Sequence, residues 1–361
     1  MLNRMPAAML LATCTLATGT LATPAWAFDG WHTENVTMLP SKTSSYDYIT
    51  YDEGTKHLFL GHRKEGLQVF DPATHTLIKT MDGTPDRSSN GATLIPEMDL
   101  GIINNEDGSF IPFKLSTLVA GAPVKLAAGM DTSHYDPGSK RIVFNVVPDK
   151  GNTELVVADA ATLKTVGTLS VPTGKAEGAV GDGAGRFYLA GQNEGKVFVL
   201  DTQNLKILDT FASPTCAKPT MVEVDRTAKR LFVACRSKGD THAALVVLNS
   251  ETGATVWTTE IGDGTDGLVY DAGTHRLFSA NGLSSTLTVA EMVTPDSFKV
   301  VEHLGTMNNL KVLAMDHANQ KLYSMVAEGW SDTARKGNLT VSPFYINSVV
   351  SNSFRVVTFS K

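Results

Sequence analysis

The 361-residue chain contains no run of lysine and arginine; charge of both signs is mixed along its length and sums to −6 at pH 7. The electrostatic footprint of a duplex-DNA binder is therefore missing. Beyond the first 27 residues no apolar run is long enough to span a bilayer. Stretches with helical apolar period are scarce. There is no G-x-S-x-G elbow, no HExxH, no phosphate-binding P-loop and no EF-hand loop, so the common short signatures of hydrolase, zinc protease, nucleotide enzyme and calcium sensor are all absent. Cysteine is rare, with three residues and no CxxC pair.

The chain does begin with a targeting signature. Arg4 gives a positive start, Ala7 to Ala22 is apolar and rich in small residues, and Ala25-Trp26-Ala27 is an A-x-A cleavage site. Residues 1–27 are expected to be a secretory signal peptide, leaving a mature chain from Phe28 that is exported, with a bacterial periplasm as the expected compartment. Leu11-Ala12-Thr13-Cys14 resembles a lipoprotein site only weakly, because Thr13 is a poor residue before that cysteine. No shift in composition divides residues 28–361, which are expected to form one domain.

What fills that domain is a repeat. An aspartate, a short polar turn and an apolar-aromatic strand recur as YDEGTKHLFLG from Tyr51, YDPGSKRIVFN from Tyr135, GDGAGRFYLAG from Gly181, VDRTAKRLFVA from Val224, YDAGTHRLFSA from Tyr270 and MDHANQKLYSM from Met315. Asp52 and Asp136 lie about twice as far apart as the later aspartates, and a degenerate copy, LIPEMDLGIINNEDG from Leu94, fills the gap. Seven units of roughly 45 residues with strand-like content predict an all-β, seven-bladed β-propeller of four-stranded antiparallel blades. In one unit Ala176–Gly181, Arg186–Ala190, Lys196–Leu200 and Leu205–Phe211 are the expected strands A to D. A second turn recurs between C and D, as in FDPATHTL from Phe70 and LNSETGATV from Leu248. Asp or Asn opens both turns because its side chain can bond backbone N–H groups two residues on. The repeat aspartates Asp52, Asp136, Asp182, Asp225, Asp271 and Asp316 are read as turn formers. Two segments, Glu34–Leu39 and Phe354–Phe359, compete for the outer edge of the last blade, and the N-terminal one is expected to close the ring.

The A-strand/Asp-turn/LFVA module and the V-x-V-[LF]-D-x-x-T module of Lys196–Leu205 resemble the YVTN-repeat β-propeller family of exported prokaryotic proteins. The likeness covers nearly all of the mature chain, although the tetrapeptide itself is replaced by Phe187-Tyr-Leu-Ala190, Leu231-Phe-Val-Ala234 and Leu277-Phe-Ser-Ala280. It implies a fold and no agreed chemistry.

In this topology the D–A and B–C loops share one face and the aspartate turns occupy the other. Counting back five residues from each repeat aspartate gives Asp47, Asn90, Asp131, Glu177, Thr220, Asp266 and Lys311 at the start of the innermost strands, a ring round the channel mouth. Packed carboxylates need a partner, and Lys311 or a hard cation such as Ca²⁺ or Mg²⁺ would supply it. The ring admits three readings: a solvated polar funnel, a ligand or metal site, or a partner-docking ring. The ends of the B strands bring His62, Asn104, Asn105, Asn145, Gln192, Asn193, Arg236, Asn281 and Glu328 to the same face. The asparagines read as turn makers; His62 and Arg236 do not. His134, within a strand A, reads as structural. Cys216 and Cys235 flank one blade on that face, and in an oxidising compartment they are expected to form a disulfide.

The leading functional expectation is a binding or docking platform for a small polar ligand or a periplasmic protein, in the manner of the heavy subunits of amine dehydrogenases, to which the resemblance is architectural. The alternative is a metal-dependent hydrolase or lyase. Gluconolactonase-like and virginiamycin B lyase-like propellers place a divalent metal or acid–base groups at this mouth. If this chain follows them, the metal would bridge Asp131, Glu177 and Asp266, and His62 would be the first candidate base.

Overall fold

The repeat aspartates build the turns through their side chains. Asp52 accepts the Thr55 N–H at 2.8 Å, Asp136 that of Gly138 at 3.0 Å, Asp182 that of Ala184 at 2.7 Å, Asp225 that of Ala228 at 2.8 Å, Asp271 that of Gly273 at 3.3 Å and Asp316 that of Asn319 at 3.0 Å. Each turn then closes on a left-handed residue. This is a glycine only at Gly185; Lys56, Lys140, Lys229, His275 and Gln320 hold the same conformation with φ of 53 to 62°.

The aspartates also tie blades together, which their turn role alone does not require. Tyr51 donates to Asp316 of the preceding blade at 2.8 Å, and Tyr270 to Asp225 of its preceding blade at 2.6 Å. Tyr135 makes the same backward reach to Glu97, which stands in the degenerate copy. There the regular turn is replaced by a short 3₁₀ segment, Pro96–Met98, after which Asp99 takes the left-handed place and binds the Ser116 N–H and hydroxyl, both at 2.7 Å.

The computed structural model describes residues 29–43, 45–84, 89–147, 150–330 and 348–361; the signal-peptide expectation for residues 1–27 lies outside them. Trp31–Lys361 is one unit. It contains seven four-stranded antiparallel sheets, the blades of a seven-bladed β-propeller. In the fourth, Ala176–Gly181, Phe187–Gly191, Lys196–Asp201 and Lys206–Ala212 follow one another from channel to rim. Among the described residues no helix is long and apolar enough to cross a membrane.

The last sheet runs Ala314–Asp316, Lys321–Val326, Arg355–Ser360 and, outermost, His32–Met38. The N-terminal strand therefore closes the ring, as expected. The C-terminal strand does not compete with it: it fills the third place, and His32 to Met38 pair along it, from Ser360 to Arg355.

Apolar side chains on both faces of every sheet pack into seven buried clusters, one at each blade–blade junction. Cys216 and Cys235 sit in the junction between the fourth and fifth blades, both buried, and are joined by a disulfide with Cα atoms 5.3 Å apart. The bridge closes a loop of 19 residues, a length for which chain entropy gives about 3 kcal/mol. The double variant Cys216→Ala/Cys235→Ala is expected to lose stability of that order in equilibrium denaturation; an unchanged midpoint would contradict it.

Candidate binding face at the channel mouth

Six of the seven ring positions share one backbone device. At the top of six inner strands the pairing with strand B slips: between Tyr46 and Ile49, Ser89 and Gly91, Met130 and Thr132, Ala176 and Ala179, Pro219 and Met221, and Thr265 and Gly267. The extra residues are Asp47, Asn90, Asp131, Glu177, Thr220 and Asp266, alone or with one neighbour. A bulge frees a residue from the ladder and re-aims its side chain. Repeated round the ring, it lifts the polar group of each blade out of the sheet at one height.

The ring is then neutralised by cations of the chain itself. Arg63 lies 2.6 Å from Asp47, 3.3 Å from Glu106 and 3.9 Å from Asp131. Glu177 accepts from Lys175 at 2.8 Å and Gln192 at 2.5 Å, with the Tyr48 hydroxyl 3.5 Å away. Asp266 is held by Arg236 and, at 2.8 Å, by Lys311. Asn90 donates to the Asp131 carbonyl and Thr220 to that of Thr265, so both tie a blade to its neighbour.

Electrostatics separates these carboxylates. Burial, with Glu177 and Asp47 close by, pushes Asp131 up to about 7. Burial works in the same sense on Asp266, but Arg236 and Lys311 outweigh it and hold that group below its ordinary range. Lys218 stands apart: burial and the nearby Arg236 and Lys175 lower it, and its ammonium forms no ion pair among the described residues.

The metal set expected from Asp131, Glu177 and Asp266 is not assembled. Among the described residues no three His, Cys, Asp or Glu side chains come close enough to hold one ion. The three lie instead against Arg63, Lys175 and Arg236, positive groups that occupy the place of a hard cation, so the residues present do not fit Ca²⁺ or Mg²⁺.

His62 is also not placed to act as a base. It is fully buried, its Nδ1 faces Gln68 Oε1 and its Nε2 the Thr43 carbonyl, each at 3.1 Å, and its ring stacks on Phe354 at 3.9 Å. With the ring fully buried, no substrate reaches either nitrogen. Pairing explains the difference: His62 opposes Tyr46 as Cys235 opposes Pro219, so the counterpart of Arg236 is Arg63. One residue along a strand is the difference between its two faces.

The belt asparagines behave as joints. Asn145 donates to Thr132 at 3.0 Å and to the Glu177 carbonyl at 2.8 Å, Asn105 to Ser109 at 3.2 Å, and Asn281 to Thr286 and Thr288 at 3.1 Å. Sequence reasoning missed Arg63, Glu106, Lys175, Lys218 and Tyr48. The first two were within reach, since each follows a B strand as Arg236 does.

Below the mouth the channel holds a chamber of about 480 Å³, with Tyr48, Asn90 and Asp266 at its upper rim. On the outer part of the same face, Trp330 is 54% exposed. It lies on Gly329–Trp330, a two-residue strand after strand B of the last blade, paired with Ser348–Val349.

No protein-family model and no curated protein matches the sequence. Among solved structures, a chain of a mitotic checkpoint complex superposes with a TM-score of 0.69 at 10% identity, covering 88% of this chain and 95% of that one. The WD40 repeats of RRP9 give 0.70 at 9% identity over 90% and 97%. A chain of hydrazine synthase from Kuenenia stuttgartiensis gives 0.64 at 10% identity over 80% and 94%. At these identities the likeness shows the fold: the protein is a seven-bladed β-propeller of four-stranded antiparallel blades.

Proposed function

We propose that the protein is an exported propeller of the YVTN-repeat type that docks a protein partner on the face around its channel mouth, binding rather than transforming it. The observation that carries this reading is the composition of that face. A rim of partly exposed charges, Arg63, Glu106, Lys175 and Lys218, surrounds a self-neutralised ring, and an exposed tryptophan stands outside it. Exposed Trp and Arg are the residue types that carry binding energy between proteins, and a rim of both charges favours a partner of matching pattern. Among the described residues the ring carboxylates Asp47, Glu177 and Asp266 are engaged by Arg63, Lys175, Arg236 and Lys311, which favours binding over turnover. One similar structure comes from an assembly, a mitotic checkpoint complex, which agrees with a docking role. The Cys216–Cys235 bridge agrees with export to an oxidising periplasm.

Trp330→Ala is expected to weaken partner retention from periplasmic extract about tenfold or more while leaving the melting temperature unchanged, because the side chain is exposed. Retention equal to wild type, read by quantitative mass spectrometry of the bound fraction, would remove Trp330 from the interface and with it the main support for a protein partner.

A further inference from the structure

The chamber below the mouth carries a chemistry of its own. Strand pairing aligns one residue from each blade at mid-height: Thr50, Thr93, His134, Val180, Glu223, Val269 and Ala314 face Phe59, Ile102, Val143, Tyr188, Phe232, Phe278 and Tyr323. The first six line the chamber wall. Three of the seven are apolar. Thr93 spends its hydroxyl on the Ser133 carbonyl at 2.6 Å and Thr50 its own on the Ala92 carbonyl at 3.3 Å, and His134 Nε2 meets Thr132 Oγ1 at 3.1 Å. Glu223 remains. No hydrogen bond or ion pair reaches its carboxyl among the described residues, and it opens into the lumen. The other acidic residue of the wall, Asp266, is already clamped by Arg236 and Lys311.

An unpaired carboxyl facing a largely apolar space is costly to keep charged unless a cation meets it. The volume is that of a small-molecule site, and Val180, Leu268, Val269 and Leu313 give its wall an apolar side. We propose that the chamber binds an organic monocation with an apolar body, such as an aryl-alkyl ammonium, whose charge pairs with Glu223 and whose body lies against Val180, Leu268, Val269 and Leu313. This goes beyond protein docking at the rim and uses none of the rim residues.

Charge bookkeeping gives the site a second signature. Burial pushes the Glu223 carboxyl up to about 8, so near pH 7 a cation must displace its proton on binding. The other titratable groups on the wall stay silent there. Burial holds His134 neutral, at about 4; it raises Tyr48 well above its ordinary value and Tyr135 to about 12; Asp266 stays ionised. Asp131, at the mouth, is the other group that titrates near 7, and substitution of Glu223 separates the two.

The test is calorimetric titration of the full mature protein with 3-phenylpropylamine and with its neutral counterpart 3-phenylpropanol, in two buffers of different ionisation enthalpy. The expected result is saturable binding of the amine by wild type with release of close to one proton, and affinity about tenfold to a hundredfold lower in Glu223→Gln with no proton release. The alcohol should bind weakly and equally to both. A second variant, Val180→Trp, narrows the chamber while keeping the carboxyl and should weaken binding of the amine. No saturable amine binding by wild type, or equal affinity in Glu223→Gln, would overturn the proposal. Partner retention measured on the same Glu223→Gln protein stays at the wild-type level if the two sites are separate, so failure here is distinguishable from failure of the docking reading.

Discussion

Trp31→Ala is expected to cost the protein about 3–5 kcal/mol, the range for deleting a fully buried aromatic side chain. Trp31 lies just before the strand that closes the ring. It is 1% exposed and packs edge-on against Phe278 with centroids 4.9 Å apart, in the junction between the sixth and seventh blades. Its backbone N–H is also bound, by Glu302 at 3.1 Å. The indole thus anchors His32–Met38 to a neighbouring blade as well as to its own sheet. Among the described residues the indole N–H finds no partner, so Trp31→Phe, which keeps the aromatic packing and removes an unsatisfied donor, should cost far less than the alanine variant. Denaturant midpoints of the two variants decide the matter. Equal losses would mean that the tryptophan contributes through something other than burial at the closure.

Stability is expected to fall as pH rises from about 5 to 8.5, at a nearly even slope up to about pH 7 and more gently beyond. Glu223 titrates near 8 in the folded protein against 4.5 ordinarily, and Asp131 near 7 against 3.8. Burial is the first cause in both, and Glu177 and Asp47 add to it at Asp131. Between each pair of values the folded state keeps a proton that the unfolded chain has lost, so raising pH favours unfolding. His134 has the opposite sign. Burial lowers it from 6.5 to about 4, so in that window the unfolded chain takes a proton the folded one refuses, and stability rises with pH. Below 6.5 the imidazole offsets one of the two carboxyls; above it Asp131 ionises in the folded state near 7, so Glu223 carries the remaining loss. Allowing for water in the channel, the loss between pH 6.5 and 8.5 should be about 2 kcal/mol. Glu223→Gln should remove most of the loss above pH 7, leaving the tail of Asp131, and raise stability at pH 8.5. A variant that keeps the wild-type slope would show that the carboxyl is not buried as described.

The repeat carried most of the fold into the sequence because turn chemistry is local. Asp52 or Asp316 needs only the next three residues to make its turn, so the pattern survives in each copy. Strand closure was readable for His32–Met38 but not for Arg355–Ser360, since both are short alternating strands and only the long connection between Val326 and Arg355 separates third place from fourth. At the site, counting from the aspartates found the ring, because it sits at a fixed height in every blade. The same counting chose His62 over Arg63, where the two faces of a strand differ by one residue. The bulges, and with them the aim of Asp131 and Asp266, depend on pairing between strands and leave only a glycine after some of the ring residues as a trace. Tyr51 and Tyr270 were visible before their aspartates, yet their reach to the preceding blade is a property of ring packing. Glu223 is silent in sequence: its meaning comes from six other residues at its height, drawn from blades spread over more than 250 residues of chain.

The most direct test of the docking account is hydrogen–deuterium exchange of the mature protein with and without the partner retained from periplasmic extract. Protection is expected in the loops of the channel-mouth face, at Arg63–Glu65, Gln192–Gly195, Ser237–Thr241 and Gly329–Trp330, with exchange unchanged at the aspartate turns Thr55–Lys56, Thr274–His275 and Asn319–Gln320 on the opposite face. Protection confined to those turns, or to the outer strands of the blades, would contradict it.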